Sequence, residues 1–298
     1  MKTSEKMISQ QQILFTPFKT RSRHSAQQDD TGCGFRRHVP WKYALVTGAS
    51  SGIGWHISEE LAKKGYDIIA VSNQPDRLDD LKKKLERDYQ ISISTFNTDL
   101  GQENSAQQVF DFCEMNNLVV EVLVNNAGTL YFGEALKIET SGMKSILHLH
   151  MTTPAMLCRL FGVRMMERRK GFILNTSSIS SAMPYPTISV YGPTKAFIRH
   201  FTRALRTEVK KYNIKVTCLI PGATATGLYD PGKYDTPLKR ALGIMKKPEE
   251  VAKAGIKALF NNCAECVPGF LNKLIVFLFP LIPHFVISAI YKRTKIFN

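Results

Sequence analysis

One stretch decides the fold of this chain: Ala44-Leu-Val-Thr47-Gly48-Ala-Ser-Ser-Gly52-Ile-Gly54. Its first four residues form a short apolar run typical of a buried strand, and a helical pattern continues beyond the last glycine to Gly65. Glycines let a backbone approach phosphate oxygens, and the N-terminus of a helix offers free N–H groups with a partial positive charge. An isolated glycine cluster also occurs in ordinary turns. The combination of strand, glycine turn and helix favours a site for the pyrophosphate of a dinucleotide.

Two later strands are predicted to end beside that turn. Val119–Val124 is a run rich in β-branched residues, typical of a central parallel strand, and small residues follow it in Asn125-Asn-Ala-Gly128. Phe172–Asn175 has the composition of another strand and leads into Thr176-Ser-Ser178. Ligands of open α/β sheets bind at the carboxyl ends of the strands. We therefore expect these loops to meet at one edge of the sheet.

Strands and helices alternate along the chain. Apolar runs that predict strands lie near residues 44–47, 67–72, 91–96, 119–124, 171–175 and 215–220. Helical patterns lie near residues 58–64, 77–88, 105–115, 143–168, 197–212 and 249–260. This alternation predicts an α/β fold, a Rossmann-like doubly wound parallel sheet with helices on both faces. We place that single domain at residues 41–268, between a disordered or dispensable tail (1–40) and an apolar C-terminal segment (269–298).

The sequence predicts a cytoplasmic protein without a bound metal. The tail has no apolar core for a secretory signal, since Ile13–Phe15 is too short. Cys263-Ala-Glu-Cys266 resembles a redox or metal pair, but no second pair or neighbouring histidine completes a site. The six cysteines, at 33, 113, 158, 218, 263 and 266, are therefore expected to be free thiols.

A second pattern, Tyr191-Gly-Pro-Thr-Lys195, is suited to moving a proton. A free tyrosine has a pKa of about 10, and a nearby cation lowers that pKa because it favours the phenolate. Residues four apart share a helix face and lie about 6 Å apart along the axis, so the Lys195 ammonium can lie beside the Tyr191 phenol. The same spacing occurs by chance on many amphipathic helices. Pro193 is tolerated in a first turn, which predicts a helix that begins close to Tyr191.

Together with the glycine turn, this pattern resembles the short-chain dehydrogenase/reductase family over roughly residues 42–269. The resemblance rests on six ordered motifs: Thr47–Gly54, Asp99-Leu100, Asn125–Gly128, Ser178 thirteen residues before Tyr191, Tyr191-x-x-x-Lys195, and Pro221-Gly-Ala-Thr-Ala-Thr226. It implies an oxidoreductase that uses a nicotinamide dinucleotide to interconvert a ketone and a secondary alcohol. It also implies a homodimer or homotetramer.

The resemblance assigns roles to residues of this chain. Tyr191 is expected to be the general acid and base, Ser178 to orient the reacting oxygen, and Lys195 to bind the nicotinamide ribose while lowering the Tyr191 pKa. Asp99 is expected at the adenine and Thr226 at the nicotinamide carboxamide. The expected cofactor-binding residues are Gly48, Ser50, Ser51, Gly52, Ile53, Gly54, Asn73, Asp99, Leu100, Asn125, Ala127, Gly128, Tyr191, Lys195, Pro221, Gly222, Thr224 and Thr226.

One position departs from the family pattern. Many members carry an asparagine in the middle of the fourth helix, where it holds a water that links the active-site lysine to solvent, and this chain has His150 there. Imidazole has a pKa of about 6.5 and can carry a proton, which makes His150 a fourth candidate catalytic residue. A packed, hydrogen-bonded core histidine is the other interpretation, and the sequence does not choose between them.

The end of the second strand, Ser72-Asn73-Gln74, bears on the choice of cofactor. In this kind of fold an acid there binds the ribose hydroxyls of NAD(H), and a base accepts the 2′-phosphate of NADP(H). The chain has neither, since Asn73 occupies the family's usual arginine position and Ser51 is neutral where some relatives carry a base. The absence of a repelling acid favours NADP(H), and NAD(H) is not excluded.

A flap over the substrate pocket is expected at residues 222–247. Leu228, Tyr229 and Tyr234 are its candidate apolar contacts, and prolines 231 and 237 interrupt it. Such flaps vary freely on one fold, so the motifs above do not identify the substrate.

The substrate is expected to be small and lipophilic. The ending Val267–Lys273, followed by a proline-broken apolar run, resembles relatives that act on lipid ketones, including 3-ketosphinganine and long-chain 3-ketoacyl reductases. Hydroxysteroid dehydrogenases are the alternative within the family. A catalytically silent lipid-binding member is the alternative from another class, and the intact Ser178, Tyr191 and Lys195 argue against it.

The apolar C-terminal segment favours contact with a membrane surface. Leu274–Tyr291 holds no charged residue over a length at the lower bound for a spanning helix, and Lys292-Arg293-Thr-Lys295 follows it. Pro280 and Pro283 break backbone hydrogen bonds that lipid cannot replace. The pattern predicts a hairpin of two short helices on an anionic surface. A lid over the cleft or a subunit interface also needs apolar residues, and these alternatives stay open.

The net charge of +15 does not by itself indicate a nucleic acid partner. No recognition motif is present, and the charge is spread over helix faces such as Lys82–Lys84 and Lys210-Lys211. A basic surface near an anionic membrane, or attraction of an anionic cofactor or substrate, explains the charge as well. We therefore expect no nucleic acid binding.

Overall fold

Parallel strands form the centre of the molecule, for which the computed structural model describes residues 42–182, 185–226 and 245–294. The strands are β1 Tyr43–Thr47, β2 Asp67–Ser72, β3 Ile93–Asn97, β4 Val120–Asn125, β5 Gly171–Thr176, β6 Ile214–Leu219 and β7 Glu265–Cys266. They pair in the order β3-β2-β1-β4-β5-β6-β7, and every pairing is parallel. The first six strands lie close to their predicted positions. The two-residue β7 was not predicted.

Helices cover the sheet. Their bounds are α1 Gly52–Ala62, α2 Pro75–Tyr89, α3 Ser105–Met115, α4 Thr140–Leu147, α5 Thr153–Arg168, α6 Tyr191–Val209, α7 Pro248–Phe260, α8 Phe270–Leu278 and α9 His284–Thr294. As Pro193 predicts, α6 begins at Tyr191 itself. The predicted tail, residues 1–40, lies outside the described part of the chain.

The alternation of side chains along each buried strand creates two cores. Ala44 and Val46 of β1 belong to the core on one face, which α1, α2 and α7 complete with residues such as Leu61 and Leu85. Leu45 belongs to the core on the other face, to which α3, α5 and α6 contribute. Because successive strand residues point to opposite faces, a strand that is apolar throughout is buried on both sides. The predicted doubly wound α/β fold is confirmed.

The prediction of one continuous helix over residues 143–168 is wrong, because the helix is interrupted. A π-helical turn, His148–Thr152, separates α4 from α5, and the N–H of Thr153 donates to the carbonyl of His148, five residues earlier. Pro154 has no N–H to donate to the carbonyl of residue 150, and its ring would clash with that carbonyl in a regular helix. The wider turn relieves this conflict, and it leaves His150 with its side chain buried.

The strand order reverses between β1 and β4. The chain runs outward from β1 through β2 to β3, and then crosses back to begin the other half of the sheet at β4. The helices that follow β1 and β4 consequently lie on opposite faces of the sheet and leave a crevice at its carboxyl edge. This switch point is where open α/β sheets bind ligands.

The C-terminal segment forms two short helices, as predicted. A 3-10 turn, Phe279–Leu281, joins α8 to α9. Within the described residues, no helix on its own has the length and apolar character needed to cross a bilayer. The stretches Phe270–Leu281 and His284–Arg293 meet that test as a pair, and they are bent by 110° relative to each other.

Candidate active site

A cleft of about 540 Å³ opens at the carboxyl ends of β1, β2, β4, β5 and β6, within the usual size range of ligand sites. Loops that are far apart in sequence meet in it. The expected site residues that line it are Gly48, Ser50, Ser51, Gly52, Ile53, Asn73, Asp99, Leu100, Ala127, Gly128, Ser178, Tyr191, Lys195, Pro221, Gly222, Thr224 and Thr226. The predicted flap contacts Leu228, Tyr229 and Tyr234 lie outside the described residues.

Gly54 and Asn125 do not line the cleft, although both were expected at the cofactor. The buried Asn125 amide donates to Asn175 Oδ1 at 2.8 Å, so it ties β4 to β5 beneath the cleft floor. The Gly48 carbonyl occupies the space that a side chain on Gly54 would need. Both residues therefore shape the site from behind.

The glycine turn packs closely against the loop after β4. Gly48 has a φ of +66°, and a Cβ on it would lie 2.8 Å from the Cα of Ala127. Thr47 Oγ1 accepts the N–H groups of Asn126 at 2.9 Å and Ala127 at 3.1 Å, which fixes that loop to β1. Side chains at either glycine position would force the two loops apart.

This arrangement fits a dinucleotide. Ser51, Gly52 and Ile53 line the cleft where α1 begins, and the Ser51 side chain makes no capping bond to the first turn. The first N–H groups of a helix lack partners within the helix, and together with its dipole they suit a pyrophosphate. A small, glycine-lined surface at a helix N-terminus is the cradle that this group requires.

The residues expected to transfer the proton lie at the other end of the cleft. Lys195 is buried in the second turn of α6, where its Nζ donates to the Thr176 carbonyl at 3.3 Å and lies 5.7 Å from the centre of the Tyr191 ring. Burial lowers the pKa of Lys195 to about 8. The amine is therefore largely cationic at pH 7 and favours the phenolate of Tyr191. Ser178 follows β5, and its Oγ accepts the N–H of Ser180 at 3.2 Å, which leaves the hydroxyl proton available for a ligand.

His150 lies behind this end of the cleft and does not line it. Its Nε2 accepts the N–H of Thr129 at 3.0 Å, and its Nδ1 lies 3.0 Å from Thr194 Oγ1. Its ring meets that of Tyr191 edge to face, with 5.6 Å between ring centres. Burial, with a contribution from the Lys195 charge, holds the His150 pKa well below its usual value. The imidazole is therefore neutral at pH 7.

Arg77 also lines the cleft, and sequence reasoning missed it. It lies in the first turn of α2, which Pro75 begins, next to Ser72, Asn73 and Gln74 at the end of β2. Pro75 is the sequence signal that could have identified it. A proline favours the first position of a helix, and Arg77, two residues later, then lies in the first turn. The end of the cleft beside β2 consequently has a cation although Asn73 is neutral.

The Asp99 carboxylate already has partners in its own loop. One oxygen accepts the N–H of Gly101 at 2.9 Å, and the other accepts the Gln102 amide at 2.8 Å. These bonds fix the loop after β3 beside the cleft. The other acids and cysteines of the described ranges form no cluster of three or more metal-ligating groups.

Comparisons with known proteins agree with this geometry. A family model described as short chain dehydrogenase matches residues 42–234. The chain is 33% identical to very-long-chain 3-oxoacyl-CoA reductase-A of Danio rerio over 189 residues, which are 62% of this chain and 59% of that protein. It is 28% identical to hydroxysteroid dehydrogenase-like protein 1 of Gallus gallus over 238 residues, 79% of this chain and 70% of that one. The match thus spans about three fifths of the first relative's length.

A solved structure shares the fold. A short-chain dehydrogenase from Sphingobium yanoikuyae in complex with NADPH superposes with a TM-score of 0.69 at 25% sequence identity. The match covers 77% of this chain and 88% of that one.

Proposed function

The chain belongs to the short-chain dehydrogenase family, and from that premise we propose that it interconverts a ketone and a secondary alcohol on a 3-ketoacyl lipid, with NADP(H) as cofactor. The observation that carries the proposal is the meeting of Ser178, Tyr191 and Lys195 with the glycine turn in one cleft. A dinucleotide in the cradle would extend from Arg77 at one end to these three residues at the other.

Reduction of a ketone adds a hydride to carbon and a proton to oxygen. When bound, NADPH supplies the hydride. Tyr191 supplies the proton, and the Ser178 hydroxyl donates a hydrogen bond to the same oxygen. The buried Lys195 amine lies 5.7 Å from the Tyr191 ring centre, so its charge stabilises the phenolate that remains. In the reverse direction the phenolate accepts the proton of the alcohol.

Arg77 supports the choice of NADP(H). Ser72 ends β2 without an acid, and Arg77 adds an exposed guanidinium to the same end of the cleft. A guanidinium forms paired hydrogen bonds with phosphate oxygens and has no comparable partner in an unmodified ribose. The 2′-phosphate of NADP(H) is therefore the group that this end of the site suits.

The similarity to a very-long-chain 3-oxoacyl-CoA reductase supports a lipid 3-ketone as substrate. The similarity to a hydroxysteroid dehydrogenase-like protein makes a hydroxysteroid the second candidate. A silent lipid-binding role fits less well, because a protein without turnover does not need a buried Lys195 beside Tyr191.

We also propose that the enzyme docks on an anionic membrane surface through α8 and α9. Three aromatic side chains of this pair project into solvent, namely Phe270, 82% exposed, Phe277, 72%, and Phe285, 73%. The sequence has no Asp or Glu after Glu265, and the exposed Lys292 and Arg293 end α9. Exposed aromatics beside a basic cluster suit the headgroup region of an anionic bilayer.

The inner side of the same pair of helices packs against the catalytic domain. Asn272 of α8 is buried against Gly222, and its amide donates to the Pro268 carbonyl at 2.7 Å. Ile287 of α9 is buried, and the Tyr291 and Tyr185 rings meet edge to face. One side of the helix pair is thus buried against the rest of the domain, and the opposite side is available to bind a partner. A lid or a subunit contact remains the alternative use.

Turnover with a small substrate panel tests the reaction. Purified enzyme with NADPH should reduce a long-chain 3-ketoacyl thioester or 3-ketosphinganine at a higher kcat/KM than a 3-ketosteroid or a sugar. A preference for the steroid would select the second candidate. Tight lipid binding without turnover of any carbonyl would support the silent role instead.

Vesicle flotation tests the docking. Full-length protein should float with phosphatidylserine-containing vesicles at low salt, and it should float less with phosphatidylcholine alone or at high salt. The double variant Phe277→Glu/Phe285→Glu should lose this binding. Met115→Glu is the matched control, because Met115 is 82% exposed at the far end of α3. Equal flotation of both variants would exclude docking through α8 and α9.

We further propose a homodimer or homotetramer assembled through α5 and α6. Met156 and Phe197 are apolar side chains exposed on these helices. Light scattering on the purified protein should give two or four times the monomer mass, and a monomer mass would refute the assembly.

A further inference from the structure

Both nitrogens of the His150 ring are engaged inside the protein. The side chain is 2% exposed, and it sits in the π-helical turn between α4 and α5. One nitrogen faces the N–H of Thr129 at 3.0 Å, in the loop that lines the cleft after Gly128. The other faces Thr194 Oγ1 at 3.0 Å, in the first turn of α6. The ring therefore joins the loop to the catalytic helix.

The partners determine where the proton of the imidazole lies. A backbone N–H can only donate, so Nε2 must accept from Thr129 and carries no proton. The proton of the neutral ring is then on Nδ1, which donates to Thr194 Oγ1. The Thr194 hydroxyl in turn donates to the Tyr191 carbonyl at 2.7 Å. Each group in this chain of three hydrogen bonds has its donor and its acceptor.

A second proton has no place in this arrangement. A proton on Nε2 would meet the Thr129 N–H, donor against donor. The titratable groups that face the ring from α6 are Lys195, whose charge opposes an imidazolium, and Tyr191. A Cβ on Gly128 would lie 3.2 Å from His150 Nε2 and 3.4 Å from Lys195 Nζ, so the loop, the imidazole and the amine are packed together.

We infer that His150 is a positioning residue and not the proton carrier that the sequence left open. As a neutral Nδ1–H tautomer it ties the loop at Thr129 to the first turn of α6 through Thr194. It thereby sets the distance between the cleft wall and the helix that carries Tyr191 and Lys195. The kinetic effects expected for His150 rest on the proposed function, whereas its tautomer follows from the hydrogen bonds alone.

Nitrogen NMR of the full-length protein labelled with ¹⁵N-histidine tests the tautomer without substrate or cofactor. The His150 signals can be assigned by their loss in His150→Gln. They should show a proton on Nδ1 and none on Nε2, and they should not titrate between pH 8 and pH 5. An Nε2–H tautomer, or a titration near the ordinary pKa of about 6.5, would overturn the inference. This result does not depend on whether the protein turns over a 3-ketoacyl lipid.

Kinetics of matched variants test the positioning. Glutamine keeps an uncharged acceptor about where Nε2 lies but has no donor at the Nδ1 position, so His150→Gln should lose less kcat than His150→Ala, which loses both hydrogen bonds and roughly tenfold or more in kcat. Thr194→Val should cost about as much as His150→Ala, the two losses should not add, and Thr194→Ser should restore activity. The pH dependence of kcat should keep its shape in every variant.

Two results would contradict the kinetic expectation. One is an equal loss in His150→Gln and His150→Ala with a displaced pH profile, which is the signature of a lost proton carrier. The other is full activity in His150→Ala, which would show that no tie is needed. Thermal melting of each variant separates a changed active site from a protein that has failed to fold.

Discussion

Replacement of Arg77 by glutamine removes the cation at the end of the cleft where we place the adenine. Among the described residues that line the cleft, Arg77 and Lys195 are the cationic ones, and Lys195 lies at the catalytic end. A hydrogen bond between charged groups contributes about 1.5–3 kcal/mol, and the lower part of that range applies because Arg77 is exposed to solvent. A loss of about 1.5–2 kcal/mol corresponds to a roughly 10- to 30-fold weaker complex. We expect this loss for NADPH and less than about a twofold change for NADH.

Calorimetric titration measures both cofactors without a substrate. Arg77→Gln should raise the Kd of NADPH roughly 10- to 30-fold. Arg77→Lys should give a Kd between those of Arg77→Gln and the parent protein, because the lysine ammonium is a point charge that cannot form the paired hydrogen bonds. Lys83→Gln is the matched control, because Lys83 is an exposed cation of the same helix that does not line the cleft. The reasoning is refuted if Arg77→Gln and Lys83→Gln behave alike, or if both cofactors weaken equally.

Other substitutions probe the cradle and the buried amine. Gly54→Ala places a methyl group against the Gly48 carbonyl, so we expect at least tenfold weaker NADPH binding in calorimetry and a lower Tm. Gly162→Ala is the control, because nothing lies within 4 Å of its added Cβ inside α5; it should stabilise the fold by roughly 1 kcal/mol in urea unfolding. If instead both glycine variants bind NADPH equally, the glycine turn is not the pyrophosphate site. Lys195→Met should raise the Tm of the cofactor-free protein at pH 7, because the folded state lowers the Lys195 pKa from 10.5 to about 8 and so disfavours its charge. That gain should shrink as the pH rises from 8 to 10.5, and a gain independent of pH would contradict a buried, charged amine.

Local chemistry made much of the fold and site predictable. The glycine turn requires glycine at Gly48 for both its positive φ and its close contact with Ala127, so its presence identifies the turn. The periodicity of buried strands is equally local. Pro193 restricts where α6 can begin, and the helix starts at Tyr191 as that restriction demands.

The remaining features depend on contacts between distant residues. The two residues of β7 have no strand pattern of their own, and they are held by pairing with β6 and by the Arg199 guanidinium, which binds both oxygens of Glu265 at 2.9 Å and 3.0 Å. The π-helical turn results from Pro154 acting on a carbonyl in the preceding turn. Periodicity cannot distinguish this turn from a regular helix, and so the sequence could not choose between a packed His150 and a proton-carrying one.

Arg77 and Asn125 show the same limit at the site itself. Position in a motif suggested that Asn125 contacts the cofactor, yet its amide is bonded to Asn175 beneath the cleft. Arg77 belongs to no motif, and the packing of α2 against β2 and β3 brings it to the cleft. A motif identifies the residues near a site, and packing decides which of them reach its surface.

The central claim is that the Tyr191 phenol transfers the proton, and turnover by Tyr191→Phe tests it most directly. We expect kcat to fall by about 10³-fold or more at every pH, because general acid catalysis contributes about 10²–10⁴-fold, while the Kd of NADPH stays within about threefold of the parent. Tyr212→Phe, in the 3-10 turn that follows α6, should keep full activity. Substantial turnover by Tyr191→Phe would contradict the claim.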